Sequence, residues 1–307
     1  VIVADGMSTD GTREILDMYC DRYPHIRVID NPDRIQSAGL NEMIRSSRGD
    51  VVVRMDVHCL YPRNYVRNCV EALMLTGADN VGGAQRAIAQ SRFQRALCAV
   101  LKSPLGVGGA KYRSEHEEGY VDTVFLGCFW RVAFEKFGIY DPEAITNEDA
   151  ELNQRIVCNG GKVYLSKSIV VHYFPRENPF ALAKQYFRYG FGRARTLLKH
   201  RRLLALRPVA PFAFALSLAA LALVPATQNV ALGILALYAM TTAGEAVRVG
   251  ASHGAAIQML AWPIFAIVHA SHALGFAVGL ARYGGAMAKG RLLISPSSLQ
   301  RVQSRAR

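Results

Sequence analysis

Ionisable residues almost vanish between Pro208 and Arg282, in a chain that is densely charged up to Arg207. No other feature constrains the fold as strongly, because a water-facing domain cannot leave so long a stretch without polar surface. The chain therefore divides into a soluble region and a membrane region. Three apolar runs, 208–226, about 230–247 and 255–281, each reach the roughly 20 helical residues that cross a hydrocarbon core. They contribute to a hydrophobic content of 51% and a mean hydropathy of +0.12, high for a purely soluble protein. Glu245 and Arg248 fall near the end of the second run, and His269 and His272 within the third; the sequence assigns them no role.

The net charge of +12 raises the question of nucleic acid, but its placement argues against it. Much of the excess runs from Lys184 through Arg193, Lys199 and Arg202 to Arg207, directly before the first apolar run. Basic clusters in that position are what a cytoplasmic flank and anionic headgroups favour. The six cysteines are widely spaced without a CxxC pattern, as expected of reduced thiols packed as small hydrophobes.

Before Arg207 the pattern alternates strand and helix. "VIVAD" is a strand, and "TREILDMYCDRY" a helix with Ile15, Leu16 and Tyr19 on one face. "IRVID" is a strand again, "QSAGLNEMIRSS" a second helix, and "VVVRMD" a strand without alternation, as suits burial on both faces. Val66, Val70 and Leu73 form the stripe of a third helix. This order predicts an α/β fold, Rossmann-like, with a mostly parallel sheet. Ligands of such sheets bind beyond the carboxyl ends of the strands, and two strands here end in acids, Asp5 and Asp56. Carboxylates repel phosphate, so a metal ion or a ribose and base is the expected target.

Taken in order, "ADGMSTDGT", "MDVH", "NED" and "QYFRY" resemble the nucleotide, DxD-type, acidic catalytic and QxxR[WY] signatures of the family 2 inverting glycosyltransferases, which have the GT-A fold. The trailing apolar segments are similar in type to the succinoglycan-type exopolysaccharide enzymes. The motifs cover roughly residues 1–205. The resemblance implies a GT-A domain over 1–177, a basic interfacial segment carrying QxxRY over 178–207, transmembrane helices over 208–282 and a basic tail over 283–307. Family members normally begin with another strand and helix, so the resemblance also implies that the first strand and helix are missing. Relatives often carry two adjacent acids at the first turn; this chain has Ala4 and Asp5.

The resemblance implies roles for particular residues. Asp5 contacts the base or ribose of a nucleotide sugar, against the plain alternative that Asp5 and Asp10 organise a turn. Asp56 and His58, two apart on extended backbone, point to one side and suit a divalent metal, Mn²⁺ or Mg²⁺. His172, after the acidic pair and before QxxRY, is a candidate third ligand. Asp149 is the expected general base and Glu148 its acceptor-orienting partner, although acids in a first helical turn also suit the helix dipole. Gln185, Arg188 and Tyr189 share a helical face, with Arg188 toward the donor diphosphate and Gln185 and Tyr189 lining an acceptor channel. "LGVGGAKYRSEHEEGY" is either a loop closing over substrate or a plain surface loop.

The expected partners are a UDP-hexose donor, UDP-glucose being the example, a lipid-linked saccharide acceptor, the inner membrane and other polysaccharide-assembly proteins, with the catalytic domain cytoplasmic. Two other classes compete: a catalytically silent nucleotide-sugar-binding or scaffold subunit, and a transport protein. Short apolar segments without a charged pathway argue against transport. Three crossings would place Arg282 to Arg307 opposite the catalytic domain, against the positive-inside rule. One apolar segment, the Pro263-containing third, is therefore expected to be re-entrant or interfacial.

Overall fold

The computed structural model describes residues 1–114, 116–202 and 204–288. The basic tail expected over 283–307 lies largely outside the described residues. The first half of the chain runs β1 (Ile2–Asp5), α1 (Thr12–Arg22), β2 (Arg27–Asp30), α2 (Gln36–Ser46), β3 (Val51–Val53), β4 (Cys59–Leu60), α3 (Tyr65–Thr76), β5 (Asn80–Ala87) and α4 (Arg92–Lys102). It continues through α5 (Pro104–Val107), β6 (Gly119–Tyr120), β7 (Phe125–Trp130), α6 (Arg131–Phe137), α7 (Glu148–Cys158) and β8 (Val163–Tyr173). Four helices follow: α8 (Pro179–His200), α9 (Ala210–Leu223), α10 (Gln228–Gly250) and α11 (Ala255–Ala288).

The sheet corrects the expectation of mostly parallel pairing. β1 and β2 form a parallel pair of their own, while the larger sheet has the order β3-β7-β5-β8-β4, with β6 against β8. Within it only β5 and β8 run parallel; β3–β7, β5–β7, β4–β8 and β6–β8 are antiparallel. The hydrophobic pattern of a strand reports which faces are buried, and carries no information about the direction of its neighbours.

Both faces of the larger sheet are covered. Cys128 packs with Cys69, Leu73 and Val81 beneath α3, while its neighbour Phe129 packs on the other side with Leu40, Phe134, Leu152 and Ile156 from α2, α6 and α7. Fully burying a side chain such as Leu73 or Leu152 stabilises by about 1.5–3 kcal/mol relative to exposure. α3 sits one step round from the expected stripe: Leu73 is buried, but Tyr65 and Cys69 replace Val66 and Val70 beneath it. α1 buries no residue, and Ile15 and Tyr19 are each 51% exposed, because no described element packs on that face.

A third core joins the soluble region to the apolar helices. Leu97 and Val100 of α4, Leu182 and Tyr186 of α8, and Ala261, Ile264 and Phe265 of α11 pack together. A capping box between Ser91 and Gln94 fixes the start of α4. Glycines let α8 and α11 approach closely: a Cβ on Gly190 would strike the His272 carbonyl, and one on Gly275 the Phe187 carbonyl.

Among the described residues two helical stretches are long and apolar enough to cross a membrane, Pro225–His253 and Ala255–Gly285. The first expected segment falls short. α9 has 14 residues, about 21 Å of helix against a hydrocarbon core of about 30 Å. The third, expected to be re-entrant or interfacial, is one continuous helix of 34 residues that runs through Pro263 and packs along α8 and α4, which leaves no re-entrant turn.

Candidate active site

Beyond the strand ends lies a cavity of about 970 Å³. It brings together Asp56 and His58 from the turn after β3, Glu148 and Asp149 from the start of α7, and Gln185, Arg188 and Tyr189 from α8. Helix α8 bridges distant parts of the chain here, with Gly192 against Asn147 and Gly190 against His272 of α11. The amide of Asn147 donates to the Tyr189 carbonyl at 3.0 Å, fixing the QxxRY turn beside the acidic pair.

α7 begins as the sequence predicts. Asn147 takes the left-handed conformation (φ 59°) as its N-cap, and Leu152 and Ile156 face the core. The two acids that follow differ in surroundings. Glu148 is buried and accepts from Arg54 Nη2 at 2.8 Å, whereas Asp149 is half-buried and its Oδ1 accepts from the backbone N–H of Ala150 at 2.6 Å. Burial, together with the charge of Asp149, raises the Glu148 carboxyl above its ordinary value, and Arg54 offsets only part of that.

Arg54 is the residue the sequence reading missed. Its Nε and Nη2 donate to the two carboxylate oxygens of Asp56 at 2.9 and 3.0 Å, while Nη2 also reaches Glu148. The guanidinium lies 5.6 Å from the ring centroid of Tyr140, and its Nη1 is buried without a hydrogen-bond partner. Burial works against the charge of Asp56, but pairing with Arg54 outweighs it and holds this carboxyl below the usual range. Gln36 donates to Asp56 Oδ2 at 3.0 Å from α2. The signal was present: a lone arginine inside the apolar run "VVVRMD" must be paired if it is buried.

The remaining candidates fall in different places. Gln185 donates to the Tyr189 hydroxyl at 2.9 Å, and Arg188 lies exposed on the cavity wall without an ion pair among the described residues. His58 stands edge-on to Tyr173, ring centroids 6.0 Å apart. Asp5 is outside the cavity lining: Ser8 donates to it from both its hydroxyl and its backbone, Arg13 from Nε at 2.8 Å, and the Ser8 and Arg13 hydrogen bonds pull its carboxyl down to about 2. This is the turn-organising arrangement weighed above. His172 is absent from the cavity lining; on β8 it pairs across from Leu60, and its Nδ1 is buried without a hydrogen-bond partner. Successive strand residues point to opposite faces, and it is Tyr173 that lines the cavity. Among the described residues no group of three or more His, Cys, Asp or Glu is placed to hold a metal ion by itself. Asp56 and His58 offer one carboxylate and one imidazole, a pair that needs ligands from a substrate to complete a coordination shell.

The loop "LGVGGAKYRSEHEEGY" is more than a surface loop, since Leu105, Val107, Tyr112 and Arg113 line the cavity. All six cysteines are free, and Cys59, Cys69 and Cys128 are buried, as small hydrophobes would be. The far wall is mixed: Ala210, Pro211 and Phe214 of α9 and Val268 of α11 are apolar, while Tyr238 of α10 and His269 and His272 of α11 add polar groups.

An α/β domain with acids beyond its strand ends, closed below by a helix bearing QxxRY, defines a GT-A type glycosyltransferase domain. Residues 1–137 match the family described as glycosyl transferase family 2, so the chain carries a domain of that family. It is 38% identical over 217 residues to the succinoglycan biosynthesis protein ExoA of Rhizobium meliloti (strain 1021), covering 70% of this chain and 66% of that protein. It is 24% identical over 198 residues to a dolichyl N-acetyl-alpha-D-glucosaminyl phosphate 3-beta-D-2,3-diacetamido-2,3-dideoxy-beta-D-glucuronosyltransferase of Methanococcus voltae, covering 62% of this chain and 61% of that one. The matched region thus spans slightly under two thirds of the length of these relatives. Among solved structures, S. aureus TarS 1-349 aligns over 92% of this chain and 82% of its own, with 11% identity and a TM-score of 0.47.

Proposed function

We propose that the protein is a membrane-bound inverting glycosyltransferase that moves a hexose from a nucleotide sugar to a lipid-linked saccharide in exopolysaccharide or surface polysaccharide synthesis. One observation carries this reading: a single cavity joins Asp56 and Asp149 to the apolar side chains Pro211, Phe214 and Val268 on the helices after Arg207. A water-soluble acceptor has no use for those side chains. The names of the two relatives, one a succinoglycan biosynthesis protein and the other a transferase acting on a dolichyl phosphate-linked sugar, support the same class.

In this reading Asp149 takes the proton from the acceptor hydroxyl as that oxygen attacks the anomeric carbon. The nucleoside diphosphate leaves from the opposite face, which inverts the centre without a covalent intermediate. Glu148, tied to Arg54, orients the acceptor and leaves the more open Asp149 to accept the proton. Asp56 and His58 would hold a divalent cation, which would supply charge neutralisation at the leaving diphosphate. Arg188 faces the same cavity and adds positive charge toward the diphosphate, while Gln185 and Tyr189 line the acceptor path. UDP-hexose, with UDP-glucose the first to try, is the donor proposed from the family, and the inner membrane with a cytoplasmic catalytic domain the location.

The test supplies radiolabelled UDP-glucose and Mn²⁺ to membranes containing the protein, with lipid extract from a polysaccharide-producing strain as acceptor. Label transferred to the organic phase by the wild type and lost with Asp149→Asn supports the reading. Binding of UDP without transfer from any UDP-hexose tried would favour the silent, scaffold class.

A further inference from the structure

The charge around the cavity exceeds what one nucleotide sugar requires. Its lining acids are Asp56, Glu148 and Asp149, and Arg54 already pairs with the first two. Arg113, Arg176, Lys184, Arg188 and Arg193 line the same space, and none of them has a carboxylate partner among the described residues. A donor diphosphate held near Asp56 by a divalent cation and Arg188 would be neutralised there, which leaves Arg113, Arg176, Lys184 and Arg193 without an anion. Uncompensated cations around a partly buried space call for another anion.

Their placement says where it binds. Arg193 stands one turn beyond Tyr189 on α8 and is half-buried; it lines this cavity and also a small adjoining one. Across from it, on α11, His272 also lines the cavity, with its Nδ1 buried and without a hydrogen-bond partner. His269, one turn earlier, is already satisfied by the Tyr238 hydroxyl and the Leu105 carbonyl, both at 2.9 Å. Arg113 enters from the loop above, its Nε likewise buried and unpartnered. These free donors stand in the same cavity as Phe214, Tyr238 and Val268, so an anion bound there would have apolar surface to run along.

We infer that the cavity contains a second anion subsite, built on Arg193 with His272 and Arg113, that takes the phosphate linkage of a long-chain lipid phosphate ester, the chain lying against Phe214, Tyr238 and Val268. The inference rests on the glycosyltransferase reading of the same cavity and adds how the acceptor is recognised. The donor's phosphates are read at Asp56 and the acceptor's at Arg193. The sugar between them then reaches Asp149 whatever its identity, so specificity for a lipid-borne acceptor comes from the linkage.

The experiment titrates the full chain in neutral detergent with dodecyl phosphate, with inorganic phosphate, and with UDP plus Mn²⁺, by calorimetry. Dodecyl phosphate should bind the wild type and bind Arg193→Gln at least about tenfold more weakly, the loss expected for one charge-assisted contact. Arg193→Lys should recover most of that binding. UDP affinity should stay within about twofold in both variants, which also shows that they are folded. Equal dodecyl phosphate affinity in wild type and Arg193→Gln would overturn the subsite. Inorganic phosphate binding as tightly as dodecyl phosphate would overturn its assignment to a lipid. A wild type that binds dodecyl phosphate through Arg193 but does not bind UDP would uphold the subsite and sink the glycosyltransferase reading instead.

Discussion

Arg54 and Glu148, 94 residues apart, meet through a hydrogen-bonded ion pair of 2.8 Å in the buried wall of the cavity. The same guanidinium holds Asp56, so one cation links the turn after β3 to the first turn of α7. This pairing separates two adjacent acids that the sequence cannot rank: Glu148 is engaged, and Asp149 faces the cavity with one oxygen uncommitted.

Asp149→Asn should therefore lower kcat by about a hundredfold or more, the scale of general-base catalysis, with UDP affinity unchanged. Glu148→Gln keeps a side-chain acceptor for Arg54 and should cost less in kcat. Steady-state transfer assays on the two variants check the ranking, and a larger loss for Glu148→Gln would exchange the roles.

Arg54→Met leaves Asp56 and Glu148 buried without their cation. Breaking a buried pair in this way costs about 3–5 kcal/mol, so the variant should unfold at markedly lower denaturant than the wild type. Chemical unfolding followed by tryptophan fluorescence measures it. Arg54→Lys should recover only part of the loss, because an ammonium cannot reproduce the fork to both carboxylates.

Divalent metal should be required for tight UDP binding, and EDTA should abolish it. His58→Ala should weaken Mn²⁺-dependent UDP binding by roughly tenfold or more, whereas His172→Ala should stay within about twofold, since only His58 lines the cavity. Calorimetry with and without Mn²⁺ separates the two. A large effect of His172→Ala would restore the three-ligand set expected from the sequence.

A buried network ties α7 to α8: Glu151 accepts from Arg155, Lys199 and His200, each at 2.8 Å, and Asp141 from Arg195 and Lys199. Burial works against the Glu151 charge, but these partners outweigh it and hold its carboxyl far below the ordinary value. A folded-state pKa below the unfolded one means that the stabilisation is complete above the ordinary glutamate value near ~4.3 and is lost as pH falls beneath it. Thermal melts from pH 6 down to about pH 3 should show that loss, and Glu151→Gln should be less stable at neutral pH and less sensitive to acid.

Gly190→Leu should disrupt the α8–α11 contact and lower the melting temperature in detergent, because the new side chain meets the backbone of His272 and Phe276. Gly233→Leu on α10 has open space and should be close to neutral. Equal melting temperatures for the two would mean that the helices do not depend on this close approach.

Most of the helices and strands, and the acids at their ends, were legible in the order of the residues. Apolar periodicity set α7 with Leu152 and Ile156 inward, the collapse of charge after Arg207 marked the apolar helices, and the order of Asp56, Glu148, Asp149 and the Gln185–Tyr189 turn carried the resemblance to the family, whose match covers residues 1–137. These are local properties, written within a few residues of one another. Tertiary structure decided everything that depends on a distant neighbour. It set the direction of β7 against β3 and β5, the exposure of Ile15 and Tyr19, the placing of His58 but not His172 in the cavity lining, and the pairing of Arg54 with Glu148. A strand pattern has the same period whichever way its neighbour runs, and a lone charge in an apolar run shows only that a partner must exist. Which partner it finds is fixed when the sheet and helices pack, because only then is the cost of burying that charge offset.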